Sequence, residues 1–382
     1  MAYFDYNATA PLLPLAREVW LTSHDDAWQN PSSPYRGAAR ARAKLEQTRE
    51  ALARILGCAG DSIVFTSGST EAAYFIFAYL AQALAAQEKI AVNSTEHPCV
   101  LAAAERFFPG RIVWLTPIEG VVSPAYVRTL LASGGIGTVV LMAANNETGI
   151  LQPWADVLKA CKEARVPFVC DATQWLGKLP SARLGESDWM FGAAHKLGGP
   201  KGVGFLKIPV QARGFRGLVG GEQEHNHRAG TENLPGAMAM LAALSDAEEH
   251  KVLLETERLR WRRDFEQRLR TLISGIKIVG ENHERLWNTV SLLLPQHENH
   301  RWVAKLDQLG FQVSTGSACA SGRQAPSHVL AAMGFVPEEA RRVVRVSSGW
   351  ETTEQDWQAL AEAFAKADAN LRASASVDVV KI

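Results

Sequence analysis

Two residues stand out by type and place: Asp171 in PFVCDATQWLGKLP and Lys196 in DWMFGAAHKLGGPKGVGFL, each at the tip of a short β-rich run, one strand-to-strand crossover apart. A lysine amine beside a carboxylate at the mouth of one sheet suits pyridoxal phosphate. The amine forms a Schiff base, and the carboxylate keeps the pyridine nitrogen protonated so that the ring acts as an electron sink. In isolation the same pair also describes a helix cap and a solvated surface charge, and a short motif does not decide between them. A second signal is FTSGSTEAAYF at 65–75, where a strand passes through Gly68 into a helix. The exposed N–H groups of that first turn and the helix dipole make an anion site. The hydroxyls of Ser67, Ser69 and Thr70 can add bonds to a phosphate; plain N-capping by Ser69 or Thr70, with Glu71 in the first turn, is the alternative.

Other strand tips are polar as well: Glu96-His97 after AVNST, Asn145-Asn146-Glu147 after LMAA, and Gln174 just past Asp171. His97 can stack on an aromatic ring and relay protons near neutral pH, and Gln174 can donate to a phenolate oxygen. Cys319 lies in VSTGSACASGRQAPSHVL among small residues, a setting that fits an exposed nucleophile better than a packed core thiol. Arg345 in VVRVSSG sits where its fork can hold a carboxylate, a surface ion pair being the alternative.

These residues need a sheet to carry them. Short β-rich runs at 63–66, 90–93, 111–115, 138–142, 167–170 and 189–191 each lead toward a helical stretch. Repeated strand, tip and helix implies crossover connections and a mostly parallel sheet, in which functional groups collect beyond the carboxyl ends of the strands. An Ala/Leu/Arg-rich helix is expected at 37–57, a buried helix at 72–87, and a long charged helix at 248–273 leading into a second lobe. Beyond it, 288–294, 311–314 and 343–347 read as strands of a smaller sheet, with helices at 327–333 and 354–372.

The chain has 382 residues, 47% of them apolar and 21% charged, enough for two cores. Lysine and arginine number 40, as do aspartate and glutamate, so no global field favours nucleic acid or an anionic membrane. Five cysteines (Cys58, Cys99, Cys161, Cys170, Cys319) form no CxxC pair, which argues against a disulfide framework or a zinc site. With no basic stretch and apolar run after Met1, no signal peptide is expected, and a cytoplasmic protein acting on a small molecule is the expectation.

Taken together, the segments FDYNATAPLLP, NPSSPYRGAARA, FTSGSTEA, STEHPCVLAA, NNETGILQP, DATQWLGKLP, HKLGGPKGVG, GGEQEHNHRAGTEN, STGSACASG and RVSSGWETTEQD resemble, in order and almost end to end, the class V aminotransferase-like pyridoxal phosphate enzymes of fold type I. Within them the likeness is to the cysteine desulfurases of the NifS/IscS-like group. The resemblance implies an α/β fold: a large domain at 14–250 with a mostly parallel seven-stranded sheet flanked by helices, and a smaller α/β domain formed by 1–13 together with 251–382, carrying the Cys319 loop. It further implies pyridoxal 5'-phosphate bound by Lys196, with Asp171 on the pyridinium nitrogen, Gln174 on the ring hydroxyl and His97 over the ring. Ser69, Thr70 and His195 would hold the phosphate, with Thr231 of RAGTEN reaching in from the second subunit of a homodimer. Asn146 and Arg345 would take the substrate carboxylate, and Cys319 would carry sulfur as a persulfide. The spacing from Cys319 to PSHVL is similar to the long-loop members of the group.

The implied activity is removal of sulfur from L-cysteine, leaving L-alanine and a persulfide. The persulfide would pass to an acceptor protein or small thiol in iron–sulfur cluster assembly, thio-modification or another sulfur pathway. A selenocysteine lyase, or another class V enzyme that does not need Cys319, is the competing expectation. Two positions depart from the pattern: Ala193 stands where relatives commonly have a phosphate-binding serine, and Tyr35 where they often have histidine.

Overall fold

The computed structural model describes residues 1–212, 214–316 and 327–379, with side chains to residue 373. Its strands are β1 (Ala2–Tyr3), β2 (Ile63–Thr66), β3 (Lys89–Asn93), β4 (Ile112–Leu115), β5 (Ile136–Val140), β6 (Phe168–Asp171), β7 (Trp189–Ala193), β8 (Gly204–Lys207), β9 (Lys277–Ile278), β10 (Thr289–Leu293), β11 (Phe311–Gln312) and β12 (Val343–Ser347). The helices are α1 (Pro14–Asp26), α2 (Arg36–Leu56), α3 (Ser69–Ala83), α4 (Pro98–Phe107), α5 (Pro124–Ala132), α6 (Trp154–Ala164), α7 (Leu234–Leu253), α8 (Leu259–Leu272), α9 (Asn299–Gln308), α10 (His328–Ala332), α11 (Pro337–Ala340) and α12 (Glu354–Val379). None of the described helices is long and apolar enough to cross a membrane.

Two compact units form. The larger comprises residues 10–144 and 152–251, the smaller 1–9, 145–151 and 252–382. The division expected from sequence, 14–250 against the rest, thus differs by four residues at its start, one at its end and more widely at one internal place. Residues 145–151 leave the large unit after β5 and bond within the small one, with Leu151 N–H donating to Glu284 O and Leu286 N–H to Gly149 O.

The larger unit is built on a seven-stranded sheet in the order β2-β8-β7-β6-β5-β3-β4. The strands β7, β6, β5, β3 and β4 run parallel, and β8 is antiparallel to both β2 and β7. Strand β2 therefore shares the direction of β7, and the carboxyl ends of β2, β7, β6, β5 and β3 open on one edge. The β8 run 204–207 was not foreseen, because four residues framed by Gly202 and Pro209 carry no alternation to mark them. Every residue of β2, β5, β6, β7 and β8 is buried, as expected of strands covered on both faces.

Helix α3 lies against this sheet through Ala72, Ala73, Phe75, Ile76, Phe77 and Leu80, in one cluster with Val64, Val92, Val169, Trp189 and Phe191. At ~1.5–3 kcal/mol for each large side chain buried, this contact fixes where the helix begins. Gly204 permits the close approach there, since a Cβ on it would lie 2.7 Å from the Cα of Gly68.

The smaller unit holds an antiparallel sheet, β12-β10-β9, and the parallel pair β1-β11. Phe4, Phe265, Leu269, Val290, Leu292, Trp302, Val344, Val346, Trp357 and Phe364 form its core. The single helix expected at 248–273 is instead α7, a π-helical turn at Leu254–Arg258, and α8.

Candidate active site

Register brings the tips together. Thr66 of β2 pairs with Gly204, Gly204 with Ala193, and Phe191 with Asp171. After β7 a single 3-10 turn, Ala194–Lys196, carries His195 and Lys196. Its shape is pinned from the N-terminal segment, where Ala10 N–H donates to His195 O at 2.7 Å and Leu13 N–H to Gly198 O at 2.9 Å. Asp171, buried, ends β6, and its Oδ1 accepts the N–H of Thr173 at 2.8 Å. Burial raises the Asp171 carboxyl above its ordinary range, while Thr173 and then the Lys196 charge pull it down. This is a carboxylate short of positive charge in a dry place, which fits a protonated ring nitrogen.

At the β2 tip the helix α3 begins after Gly68 (φ 153°), which caps it without a side-chain bond. Capping by Ser69 or Thr70, the alternative weighed above, is not what occurs. Ser69 Oγ lies 2.7 Å from Thr173 Oγ1, tying the helix start to the β6 tip, and the Thr70 side chain lowers the Cys99 thiol against the effect of burial. Glu71 turns away, accepting Ser67 N–H at 3.0 Å and pairing with Arg228 at 2.9 Å. The bare helix end, with a Cβ on Gly68 meeting nothing within 4 Å, leaves room for an anion. The surrounding charge agrees with that reading. His195 falls to about 4 through burial and through the cations of Lys196, Lys201 and Lys178, so it is a neutral imidazole in a positive neighbourhood. This donor set fits a phosphate, and Ala193 removes one hydroxyl without emptying it.

From β3 the chain turns through Glu96 and His97 into α4. Glu96 is fully buried, accepts Met142 N–H at 2.5 Å, and is raised well above the carboxylate range by burial and then by Asp171. The Nδ1 of His97 accepts Cys99 N–H at 3.2 Å, capping α4. Gln174 is buried, and its Oε1 accepts from Lys178 Nζ at 3.0 Å.

Thr231 is exposed in a loop held at two points. One is the Glu71–Arg228 pair. The other is Arg49, whose Nη1 and Nη2 donate to Glu224 at 2.6 and 2.9 Å while Glu224 also takes Phe65 N–H at 2.7 Å. The network holds Glu224, His225 and Asn226 at φ 51°, 54° and 69°, a run of left-handed residues that costs energy unless its surroundings enforce it.

In the smaller unit Arg345 is buried on β12. Its Nη2 donates to Asp5 Oδ1 at 2.6 Å, and its Nη1 to Asn146 O at 3.0 Å and Gly316 O at 3.3 Å. Arg345 and the backbone of Asn146 are thus neighbours. Cys319 lies outside the described residues. Residues missed by the sequence reading are Thr173, Asp5, Arg49 and Glu224. Thr173 follows Asp171 by two and had an Asx-turn signal, whereas the other three act through partners too distant in sequence to pair on paper.

The class-V aminotransferase family matches residues 2–360 of the chain. A cysteine desulfurase of Enterobacter agglomerans is 37% identical over 361 residues, covering 93% of this chain and 89% of that one. Among solved structures, a NifS-like protein from Rickettsia africae is similar with TM-score 0.86 at 27% identity, covering 97% of this chain and 99% of that one. SspA, solved in complex with cysteine, is similar with TM-score 0.76 at 28% identity, covering 91% and 98%. A family match over nearly the whole chain, curated relatives above 30% identity and a matching fold lead to one conclusion: the chain is an enzyme of the class-V aminotransferase family, in its NifS/IscS-like cysteine desulfurase group.

Proposed function

We propose that this enzyme is a cysteine desulfurase that takes sulfur from L-cysteine, releases L-alanine and leaves a persulfide on Cys319. The observation that carries the reading is the edge where Asp171, Lys196, His195, His97 and the bare start of α3 converge. Pyridoxal 5'-phosphate bound there supplies a sink for the electron pair left on the substrate Cα. Lys196 would hold it covalently, Asp171 and Gln174 its ring, and Ser69, Thr70 and His195 its phosphate. Thr231 would reach the phosphate of a second subunit, which makes the working enzyme a homodimer.

Arg345 gives the substrate carboxylate a forked, charge-assisted partner, with Asn146 beside it. The amine of Lys196 or the imidazole of His97 moves the Cα proton, and the buried surroundings of Asp171 exclude water. The Cys319 thiolate attacks the substrate Sγ, so that an S–S bond forms as the Cβ–Sγ bond breaks. The electrons of the broken bond stay on the carbon skeleton, which takes up protons and leaves as alanine. The acceptor of the persulfide is a protein or small thiol, and the site of action is the cytoplasm.

Product analysis from cysteine and a dithiol tests the reading. Wild type should release alanine and sulfide together, and Cys319→Ser should release neither above background. Alanine at the wild-type rate from Cys319→Ser would establish a lyase instead.

A further inference from the structure

The imidazole of His97 has a neighbour that the reaction outlined above does not use. Its Nδ1 accepts the backbone N–H of Cys99 at 3.2 Å, and the Sγ of Cys99 lies 3.0 Å from the same nitrogen. A ring nitrogen that accepts from a backbone amide presents a lone pair there, so the neutral ring carries its hydrogen on Nε2. In the sulfur contact, then, the thiol is the donor. Cys99 itself lies in the first turn of α4, which His97 caps.

We propose that Cys99 is a positioning residue for His97: its thiol and its backbone N–H both donate to Nδ1, locking the ring in the Nε2–H tautomer. This deepens the desulfurase reading and rests on it for its consequence. His97 then offers the site a hydrogen-bond donor at Nε2, and the Cα proton is moved by Lys196. Burial, reinforced by the Asp171 charge, pushes the Cys99 thiol up to about 12, so it keeps its proton at neutral pH. A thiol held in that state is a donor and a poor nucleophile.

The test is long-range proton–nitrogen correlation on the full chain with 15N-labelled histidine, with His97 assigned by its disappearance in His97→Asn, which retains a capping side chain. Wild type should show an unprotonated Nδ1 and a protonated Nε2. Cys99→Ala should mix the tautomers and lower kcat about threefold to tenfold, the rate equivalent of one neutral hydrogen bond, with KM within about twofold. Cys99→Ser, which keeps a donor, should restore both. A protonated Nδ1 in wild type overturns the proposal even if Cys99→Ala does not fold. So does a Cys99→Ala protein with wild-type tautomer and rate, or a serine variant no better than alanine. If the Nε2–H tautomer depends on Cys99 but no alanine forms from cysteine, the positioning role stands and the desulfurase reading fails.

Discussion

The strand-tip cluster of the larger unit and the arginine cluster of the smaller one solve the same problem differently. In the larger unit each functional group ends its own strand: Asp171 closes β6, Lys196 follows β7, His97 follows β3 and Ser69 follows β2. Strand pairing aligns those ends, parallel from β7 to β3 and through the antiparallel β8 for β2, and the side chains need little more than local turns to aim them. In the smaller unit Arg345 sits mid-strand, and its direction comes from an ion pair with Asp5 at 2.6 Å and from two carbonyl groups. Topology positions the first cluster, whereas a side-chain network positions the second. Single substitutions should therefore damage function at the tips without unfolding them, and should loosen geometry where a network does the aiming.

The largest expected effect is at a tip. Lys196→Ala should lower alanine production at least about 10³-fold, combining lost acid–base and covalent roles, while its unfolding curve stays near that of wild type. Borohydride should fix the cofactor to Lys196 in the parent; fixation to Lys201 would break the assignment. A network substitution should reverse the pattern. Arg49→Met leaves the Glu224 carboxylate buried without its partner, which costs about 3–5 kcal/mol, to be read as a lower denaturation midpoint. An unchanged midpoint would mean that the left-handed run 224–226 is held by something other than this pair.

Smaller still is Asp5→Asn. Arg345 keeps its charge but loses the carboxylate that orients it, and KM for cysteine should rise about threefold to tenfold at nearly constant kcat. A fall in KM would instead make Asp5 a competitor of the substrate. The most modest effect concerns pH. The folded value of His195, about 4 against an ordinary 6.5, lies below the unfolded one, so between those limits the unfolded chain binds more protons. Stability should then drop as pH falls from about 6.5 to about 4, and the slope should be shallower in His195→Gln; equal slopes in the two proteins would contradict the desolvated, cation-flanked setting of this ring.

The same contrast explains what could be read before any coordinates. Strand, tip and helix recur with a period visible in the chain, so the parallel sheet and the edge where its strands end were legible from 63–66 through 189–191. The antiparallel β8 was not, since it is short and interrupts that rhythm. The pairings Asp5–Arg345 and Arg49–Glu224 join residues far apart in sequence, and no local pattern announces which buried arginine meets which acid. The π turn at Leu254–Arg258 was hidden for a different reason: its residues are good helix formers, and propensity does not distinguish i→i+4 from i→i+5 bonding.

The described thiols sharpen the central claim. Burial raises Cys58, brings Cys99 and Cys161 each to about 12, and takes Cys170 well above its ordinary value, so none of the four is suited to attack sulfur at neutral pH. The proposed reading gives that chemistry to Cys319. Mass spectrometry of the Cys319 peptide after a brief incubation with cysteine, alongside the alanine formed, tests this directly. The account predicts a single added sulfur on that peptide, matched to the first equivalent of alanine. An unmodified Cys319 beside normal alanine production would contradict it.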